Sequence, residues 1–312
     1  MKLASIYCFC VLILAVIACN SLNDLQPMPE DKIPVAVVED LKSKFPNAQD
    51  IIYKTVERDK LWEATFMENG KNYYSALGTQ GVMVSYLLLT AAPSGTFASI
   101  LEKVSLPKGK FSDFKENTST SSSNNAQELT AKYTLDSTAY IFSWFPLDAT
   151  RKKYVVQMRY FSKFDYTTHL VGDLPTRAQN IIKDNALIHK SARIFVNEAN
   201  EKTYHSLEHD AANNQLDYLF DHRGNSIYSS RNFQGTYTKT AEFPQFAQDY
   251  MATHAQQFAN FPIQSGVRFE ESGQTGYRFI LYRAYPFLET YYLYFNDSGT
   301  ITYLTYEALV TL

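Results

Sequence analysis

The sequence between Ile33 and Tyr86 reads IPVAVVEDLKSKFPNAQDIIYKTVERDKLWEATFMENGKNYYSALGTQGVMVSY. It begins with the pattern of a short amphipathic helix. Pro34 suits the first helical position, where its fixed φ and missing amide hydrogen are tolerated. Apolar residues then recur every three or four positions as far as Phe45, which predicts one buried helical face, and Pro46 ends the helix.

Partly alternating apolar and polar residues follow the helix, and turn residues divide them into four strands. The turns are predicted at residues 58–60, 69–70 and 79–81. Asn69-Gly70 is the strongest of these signals, because a two-residue hairpin turn needs positive φ at both central positions. The stretch therefore predicts a helix lying on one face of a four-stranded antiparallel meander.

The same stretch resembles the β-lactamase-inhibitor-like, PepSY-like domain family of envelope proteins from Bacteroides-type bacteria. The resemblance covers residues 32–90 and includes the Phe45-Pro46 helix end, the strand LWEATF, the Asn69-Gly70 hairpin and the spacing of Tyr74, Gly78 and Gly81. It implies a fold and an envelope location. It implies no activity, since members of the family mostly lack one.

Three further helices are predicted where an apolar residue precedes Pro93, Pro175 or Pro244. The residues seven and eleven positions after each of the four prolines are all apolar. Seven and eleven residues are two and three helical turns, so the four segments present the same stripe. The positions are Leu41, Ile100, Ile182 and Met251, then Phe45, Val104, Ala186 and Ala255. Three of the copies also share a glycine turn into the fourth strand, at Gly81, Gly224 and Gly299.

The predicted fold class is α+β, with tandem αββββ units at 32–90, 91–171, 172–236 and 237–312, the second being divergent. Units of this size have marginal cores, and their open sheet edges invite aggregation. We therefore expect the units to join edges in pairs, 32–170 and 172–312. Each pair would form one long sheet with its helices on one face.

Composition excludes two broad classes of protein. The chain has 312 residues of which 45% are hydrophobic, too many for a disordered protein. Its net charge of −3 and the absence of a basic stripe argue against nucleic-acid binding.

The N-terminus has the form of a bacterial lipoprotein signal. Residues 1–18 carry Lys2 and an apolar core, and the sequence Val-Ile-Ala before Cys19 resembles a lipobox. Cys19 would then be the lipid attachment site and the only cysteine of the mature chain. Residues 19–31 form a polar tether. The predicted location is the cell envelope, anchored in the outer membrane, with the periplasmic and the surface-exposed side both left open.

No catalytic, metal-binding or cofactor-binding motif emerges. His205 and His209 lie in a predicted strand, where four residues span about 13 Å, too far for two ligands of one metal ion. No nucleophile elbow or phosphate-binding glycine loop occurs. We expect no enzyme and no cofactor.

The aromatic content is the feature that most indicates binding. The chain has 23 tyrosines and 21 phenylalanines, and the predicted strands look apolar or aromatic on both faces. One interpretation is that tyrosines fill half-buried strands or that a second sheet covers the face. The other is a docking surface on the helix-free face, since tyrosine and tryptophan are frequent in binding hot spots. The predicted binding residues are Tyr140, Phe142, Trp144, Tyr154, Tyr160, Tyr292 and Tyr294.

These observations favour a non-enzymatic envelope lipoprotein that binds an envelope or secreted protein, in the manner of an inhibitor. The alternatives are a glycan- or peptidoglycan-binding protein and a structural spacer. A broad apolar face of about 800 Å² would favour a protein partner. A concave face with tyrosines among polar groups would favour a glycan, and a face packed against its neighbour would favour the spacer.

Replacing Cys19 by serine should abolish lipid attachment and move the protein from the membrane fraction to the soluble fraction, because the thiol is the lipid acceptor. Fractionation and labelling with radioactive palmitate measure this. Cys10→Ser is the matched control, because Cys10 lies in the predicted signal peptide. Continued labelling of the Cys19→Ser protein would contradict the assignment.

Overall fold

The computed structural model describes residues 33–93, 95–119, 128–135, 137–147, 150 and 152–312. The predicted signal peptide, Cys19 and the tether lie outside the described residues. Their assignments stay predictions.

Short helices begin beside each of the four predicted prolines. The helices are α1 (Val35–Lys44), α2 (Thr96–Lys103), α3 (Thr176–Asp184), α4 (Gln245–Thr253) and α5 (Ala255–Phe258). The predicted helix starts are confirmed, with one correction. Pro34 is the residue before the first helical one, since its ψ of 137° is extended. Within the described part of the chain, no helix combines the length and apolar character needed to cross a membrane.

Most of the remaining chain is strand. The strands are β1 (Gln49–Glu57), β2 (Leu61–Glu68), β3 (Lys71–Gly78), β4 (Gly81–Leu88), β5 (Lys110–Asn117), β6 (Leu129–Leu135), β7 (Thr138–Pro146), β8 (Lys153–Tyr160), β9 (Phe164–Thr168), β10 (Ile188–Val196), β11 (Lys202–His209), β12 (Gln215–Phe220), β13 (Ser226–Ser229), β14 (Phe233–Tyr237), β15 (Ile263–Glu271), β16 (Gln274–Arg283), β17 (Leu288–Asn296) and β18 (Ile301–Thr311). The turns predicted between β1 and β4 are confirmed.

The strands form two antiparallel sheets rather than serial modules. The large sheet has thirteen strands in the order β1 to β8, then β18 back to β14, and the small sheet has five in the order β13 to β9. The predicted α+β fold of tandem helix-on-meander units is wrong, because the described part of the chain is mainly antiparallel sheet, with 52% strand and 17% helix.

The pairing of sheet edges explains why the chain does not form separate units. Strand β8 pairs with β18 from Met158 opposite Tyr306 to Lys153 opposite Thr311, and this pairing satisfies two edges that separate units would leave open. The large sheet therefore takes strands from both expected pairs of units, 32–170 and 172–312. Strand β9 precedes the predicted boundary at residue 172 but pairs with β10. Strand β14 crosses the predicted boundary between 236 and 237 and pairs with β15.

The large sheet has a helical face and a helix-free face. Helices α2 and α4 share one core on the helical face, where Ile100 and Met251 are buried with Trp144. Helix α1 packs on the same face at the far end of the sheet, through Val37 and Leu41.

The small sheet, with α3, covers the helix-free face. At one end Tyr74 and Tyr86 of the large sheet share a core with Phe164 of β9. At the other end Tyr303 shares a core with Leu219 of β12. The broad bare face expected from the sequence is therefore occupied by the protein's own second sheet.

The predicted helical stripe is confirmed for the residues seven positions after each proline and only partly for those eleven positions after it. Leu41, Ile100, Ile182 and Met251 are all buried. Of the second set, Ala186 and Ala255 are exposed, because α3 and α4 end at Asp184 and Thr253, before the third turn is complete.

Two of the predicted turns need glycine, because the backbone φ is positive there and because there is no room for a Cβ atom. Gly81 has a φ of 116°, and a Cβ there would lie 2.2 Å from Oδ2 of Asp40 in α1. Gly299 has a φ of 77°, and a Cβ there would lie 2.6 Å from the ring of Phe246 in α4. A side chain at either position would strain the turn and push the helix off the sheet.

Replacing Trp144 by alanine should lower the free energy of unfolding by about 3–5 kcal/mol, because it leaves a large cavity in a dry core. Urea denaturation measures this. Tyr285→Ala is the control, because that ring is 85% exposed, and it should change stability little. An unchanged unfolding midpoint for Trp144→Ala would place its ring on the surface, as the sequence had suggested.

Candidate ligand-binding cleft

A cleft of about 410 Å³ lies between the helix-free face of the large sheet and the small sheet. We call it the inter-sheet cleft. One wall comes from β8, β16, β17 and β18, and the other from β10 to β13. It is lined by Gln157, Met158, Arg159, Arg193, Phe195, His205, Asp217, Leu219, Tyr228, Arg278, Tyr292, Tyr294, Tyr303, Thr305, Tyr306 and Glu307.

Strand register builds the large-sheet wall. Arg278 of β16, Tyr294 of β17 and Tyr303 of β18 are cross-strand neighbours and form one row. Tyr292 and Thr305 are paired in the next row. Because side chains alternate between faces along a strand, Tyr291 and its odd-numbered neighbours fill the helical-face core while Tyr292 and Tyr294 face the cleft.

A single row of four residues crosses the small-sheet wall. Arg193, His205, Leu219 and Tyr228 are successive cross-strand partners from β10 to β13. The residues on either side of Arg193, Ala192 and Ile194, are buried in the core with α3. Alternation thus puts an arginine and a histidine on the cleft side of strands β10 and β11.

Arginine–aromatic stacking connects the two walls. The guanidinium carbon of Arg278, from the large sheet, lies 4.3 Å from the ring centroid of Tyr228, from the small sheet. Arg159 and Arg193 approach the ring of Phe195 at 5.0 and 5.4 Å. A guanidinium stacked this way keeps its planar edge available for hydrogen bonds.

Asp165 of β9 holds two of these arginines together. Its carboxylate accepts hydrogen bonds from Nη2 of Arg159 at 3.1 Å and from Nε of Arg193 at 2.7 Å. Burial opposes ionisation of this carboxyl group, but the charges of Arg193 and Arg159 outweigh it, so the pKa of Asp165 is lowered. One carboxylate is thus shared between two guanidinium groups beside the cleft.

The cleft also contains hydrogen-bond acceptors. Oδ1 of Asp217 lies 3.6 Å from Nε2 of His205, and the contact with His205 lowers the pKa of Asp217. Glu307 accepts a hydrogen bond from the amide of Gln157 at 3.2 Å. Burial and the charge of Glu307 raise the pKa of Tyr292, which keeps its hydroxyl protonated. Donors and acceptors therefore share one cavity with aromatic rings.

The seven predicted binding residues separate into three groups. Tyr292 and Tyr294 line the cleft. Tyr140, Phe142, Trp144 and Tyr154 are buried in the helical-face core, so the prediction that they form a docking surface is corrected. Tyr160, half-buried at the end of β8, packs between Tyr140 and Tyr303.

The register gives the reason for the correction. Trp144 pairs with Val156 on β8, and both face α2, where the ring of Phe97 lies 4.6 Å from that of Trp144. These strands direct their aromatic residues toward the helix and leave smaller or polar side chains on the other face. The aromatic stripe in the sequence marked the core side of the sheet.

Five charged cleft residues were missed from the sequence: Arg159, Arg193, Asp217, Arg278 and Glu307. Each stands between two apolar residues in its strand. That signal was present, because a lone charge within an alternating apolar strand marks the opposite face. It does not reveal that a second sheet faces it.

A separate buried cluster contains a serine, a glutamate and a histidine. The hydroxyl of Ser206 donates to the carboxylate of Glu208, which also bonds Nδ1 of His189 at 2.9 Å. Ser206 and Glu208 are both fully buried, and the serine hydroxyl bonds the carboxylate rather than the imidazole. An activated nucleophile needs the hydroxyl on its base and within reach of a substrate, so this arrangement is structural.

The histidines considered in the sequence are held by other partners. His205 faces Asp217, and Nδ1 of His209 bonds Asn213 at 2.7 Å. Among the described residues, no group of three or more histidine, cysteine, aspartate or glutamate side chains is placed to bind a metal ion.

No protein family profile matches this chain, and no curated protein sequence matches it. Among solved structures, a BLIP-like protein from Bacteroides fragilis is similar, with 13% identity over 37% of this chain and 80% of that chain and a TM-score of 0.28. This is a loose likeness of fold to a BLIP-like protein.

Replacing Asp165 by asparagine should lower the free energy of unfolding by up to about 3 kcal/mol at pH 7. It leaves Arg159 buried without its counter-charge, while Arg193, with its side chain 39% exposed, is screened by water. Because the folded pKa of Asp165 is lowered from its usual 3.8, its contribution is fully present above about pH 4 and is lost as the pH falls through the folded value.

Urea denaturation of both proteins between pH 7 and pH 2 measures this difference, which should shrink only at the acidic end. Asp297→Asn, at an exposed turn, is the control. A difference that is constant across this pH range would mean that the Asp165 charge contributes nothing.

Proposed function

We propose that this chain is a non-enzymatic, lipid-anchored binding protein of the cell envelope that holds a glycan in the inter-sheet cleft. The observation that supports this most directly is the composition of the cleft. Planar polar side chains that donate or accept hydrogen bonds surround tyrosine rings in a concave site.

A saccharide fits such a site for two reasons. Its hydroxyl groups both donate and accept, which matches the donors Arg193 and Arg278 and the acceptors Asp217 and Glu307. Its C–H face is weakly positive and stacks on the negative face of an aromatic ring such as Tyr292. The volume of about 410 Å³ lies within the range of roughly 300–1,000 Å³ that small-ligand sites occupy.

The non-enzymatic part of the proposal has its own support. A glycosidase needs two carboxyl groups, one of which acts as an acid with a raised pKa. The cleft contains two carboxyl groups, Asp217 and Glu307, but the contact with His205 lowers the pKa of Asp217. A lowered pKa favours a permanent acceptor over a proton donor.

The envelope location and the lipid anchor are supported by the sequence before and at Cys19. A protein partner in the same cleft is the second candidate, because arginine and tyrosine are the residues most frequent in protein hot spots. A partner of standard size needs about 800 Å² of contact. The helix-free face that would have supplied this area is covered by the small sheet, which favours the glycan. A pure spacer would leave the charged cleft without a role.

Replacing Tyr292 or Arg278 by alanine should weaken saccharide binding at least tenfold, since one change removes the stacking ring and the other a donor. The measurement is isothermal titration of the detergent-solubilised protein with a panel of oligosaccharides that includes cellotetraose, maltotetraose and chitotetraose. Released reducing ends are assayed in parallel.

Matched controls are Tyr285→Ala, at an exposed ring, and Arg58→Ala, whose side chain is 64% exposed outside the cleft. Both should bind like the unaltered protein. Binding that survives both cleft substitutions would contradict the site, and hydrolysis of a bound saccharide would contradict the non-enzymatic proposal. Capture of an envelope protein with no saccharide bound would favour the second candidate.

A further inference from the structure

We infer that the inter-sheet cleft selects uncharged saccharides and excludes saccharides that carry carboxylate or sulfate groups. This inference rests on the proposed function and adds the ligand class. It follows from the arrangement of the charged side chains in the cleft.

The charges in and beside the cleft balance. Three arginines, Arg159, Arg193 and Arg278, meet three carboxylates, Asp165, Asp217 and Glu307. Sites that capture anions have an excess of positive charge, usually as two or more guanidinium groups that converge on one point. This cleft has no such excess.

The arginines also differ in how much of their charge is available. Arg159 and Arg193 both bond Asp165, which supplies an internal counter-charge where an acidic ligand would otherwise bind. The Arg278 guanidinium lies over the ring of Tyr228, and its Nε is buried without a hydrogen-bond partner among the described residues. The Arg278 guanidinium keeps its positive charge and offers a ligand stacking plus one or two hydrogen bonds from its outer edge.

Glu307 is the residue that would reject an anion. The hydrogen bond to its carboxylate comes from the neutral amide of Gln157, and no cation of the described residues lies within ion-pair distance. It is a cross-strand neighbour of Thr290 and Gln157 and lies one strand away from Tyr292. A ligand carboxylate beside Glu307 meets a like charge and is therefore disfavoured. A hydroxyl group, by contrast, donates to it.

Asp217 supplies a second acceptor carboxylate on the opposite wall of the cleft. Its carboxylate is 42% exposed at the rim, next to a His205 side chain that is 54% exposed. Both walls of the cleft therefore present an acceptor carboxylate to the ligand. A neutral sugar ring inserted between them can donate hydroxyl groups to each, whereas a uronic acid places its carboxylate near one of them.

The test compares matched pairs that differ only in charge. Isothermal titration of the full, detergent-solubilised protein uses trigalacturonate against its methyl ester, and sulfated against unsulfated chitotetraose. The neutral member of a bound pair should bind at least tenfold more tightly, so the ratio of the acidic to the neutral dissociation constant should be at least ten. In Glu307→Gln, which keeps the shape and the partner amide, this ratio should fall at least tenfold. Glu39→Gln, at an exposed position of α1, should leave the ratio unchanged.

The outcomes are distinguishable. If the acidic member binds as tightly as the neutral one, the inference is overturned while the glycan proposal stands. If the ratio is the same in Glu307→Gln as in the unaltered protein, the assignment to Glu307 is overturned. If no saccharide of either kind binds, the proposed function itself fails and the inference fails with it. Circular dichroism and the unfolding midpoint of Glu307→Gln show whether the variant is folded.

Discussion

The pairing of β8 with β18 is the constraint on which the remaining architecture depends. It joins the end of one half of the chain to the end of the other and continues a single hydrogen-bonded ladder through thirteen strands. Because side chains alternate along each strand, this register also aligns the faces of the two halves. Val156 and Ala308 meet on the helical face, while Gln157 and Glu307 meet on the other. A slip of one residue would put a glutamate into the core under α2 and α4.

The second sheet is fixed against the helix-free face by charged as well as apolar contacts. Lys163 reaches across to Glu63 of β2 at 2.8 Å, and the Tyr74 hydroxyl donates to the same carboxylate. Asp165, two residues further on, binds Arg159 of β8. Buried ion pairs add little net stability, but an unpaired member is costly, so they select one position of β9 among many apolar alternatives. That position sets the width of the inter-sheet cleft.

The features that could be predicted from the sequence are those that depend on neighbours along the chain. A proline before an apolar stripe predicted each helix start, and Asn69-Gly70 predicted a hairpin, because both signals act within a few residues. Which edges meet could not be predicted, since an edge strand has the same alternation whichever strand it joins. Trp144 illustrates this limit of the sequence. Its strand looked apolar or aromatic on both faces, and only the position of α2 decides which face is the core. Arg278 shows the converse, since it is unremarkable in sequence and significant only because Tyr228 lies opposite.

The alternation of side chains between the two faces of each strand produces both the core and the cleft. Along β17, the odd-numbered residues Tyr291 and Leu293 are fully buried, while the even-numbered Tyr292 and Tyr294 are only half-buried. Where the two sheets touch, apolar residues such as Leu219 and Tyr303 close the gap between them. Where they diverge, arginine, aspartate and glutamate side chains occupy it. A polar group enclosed without a partner costs free energy, and stacking on a ring does not supply the hydrogen bonds that a guanidinium needs. Water or a ligand in the cleft can complete the hydrogen bonds that these side chains do not make within the protein, which favours a ligand at this place over the outer surfaces.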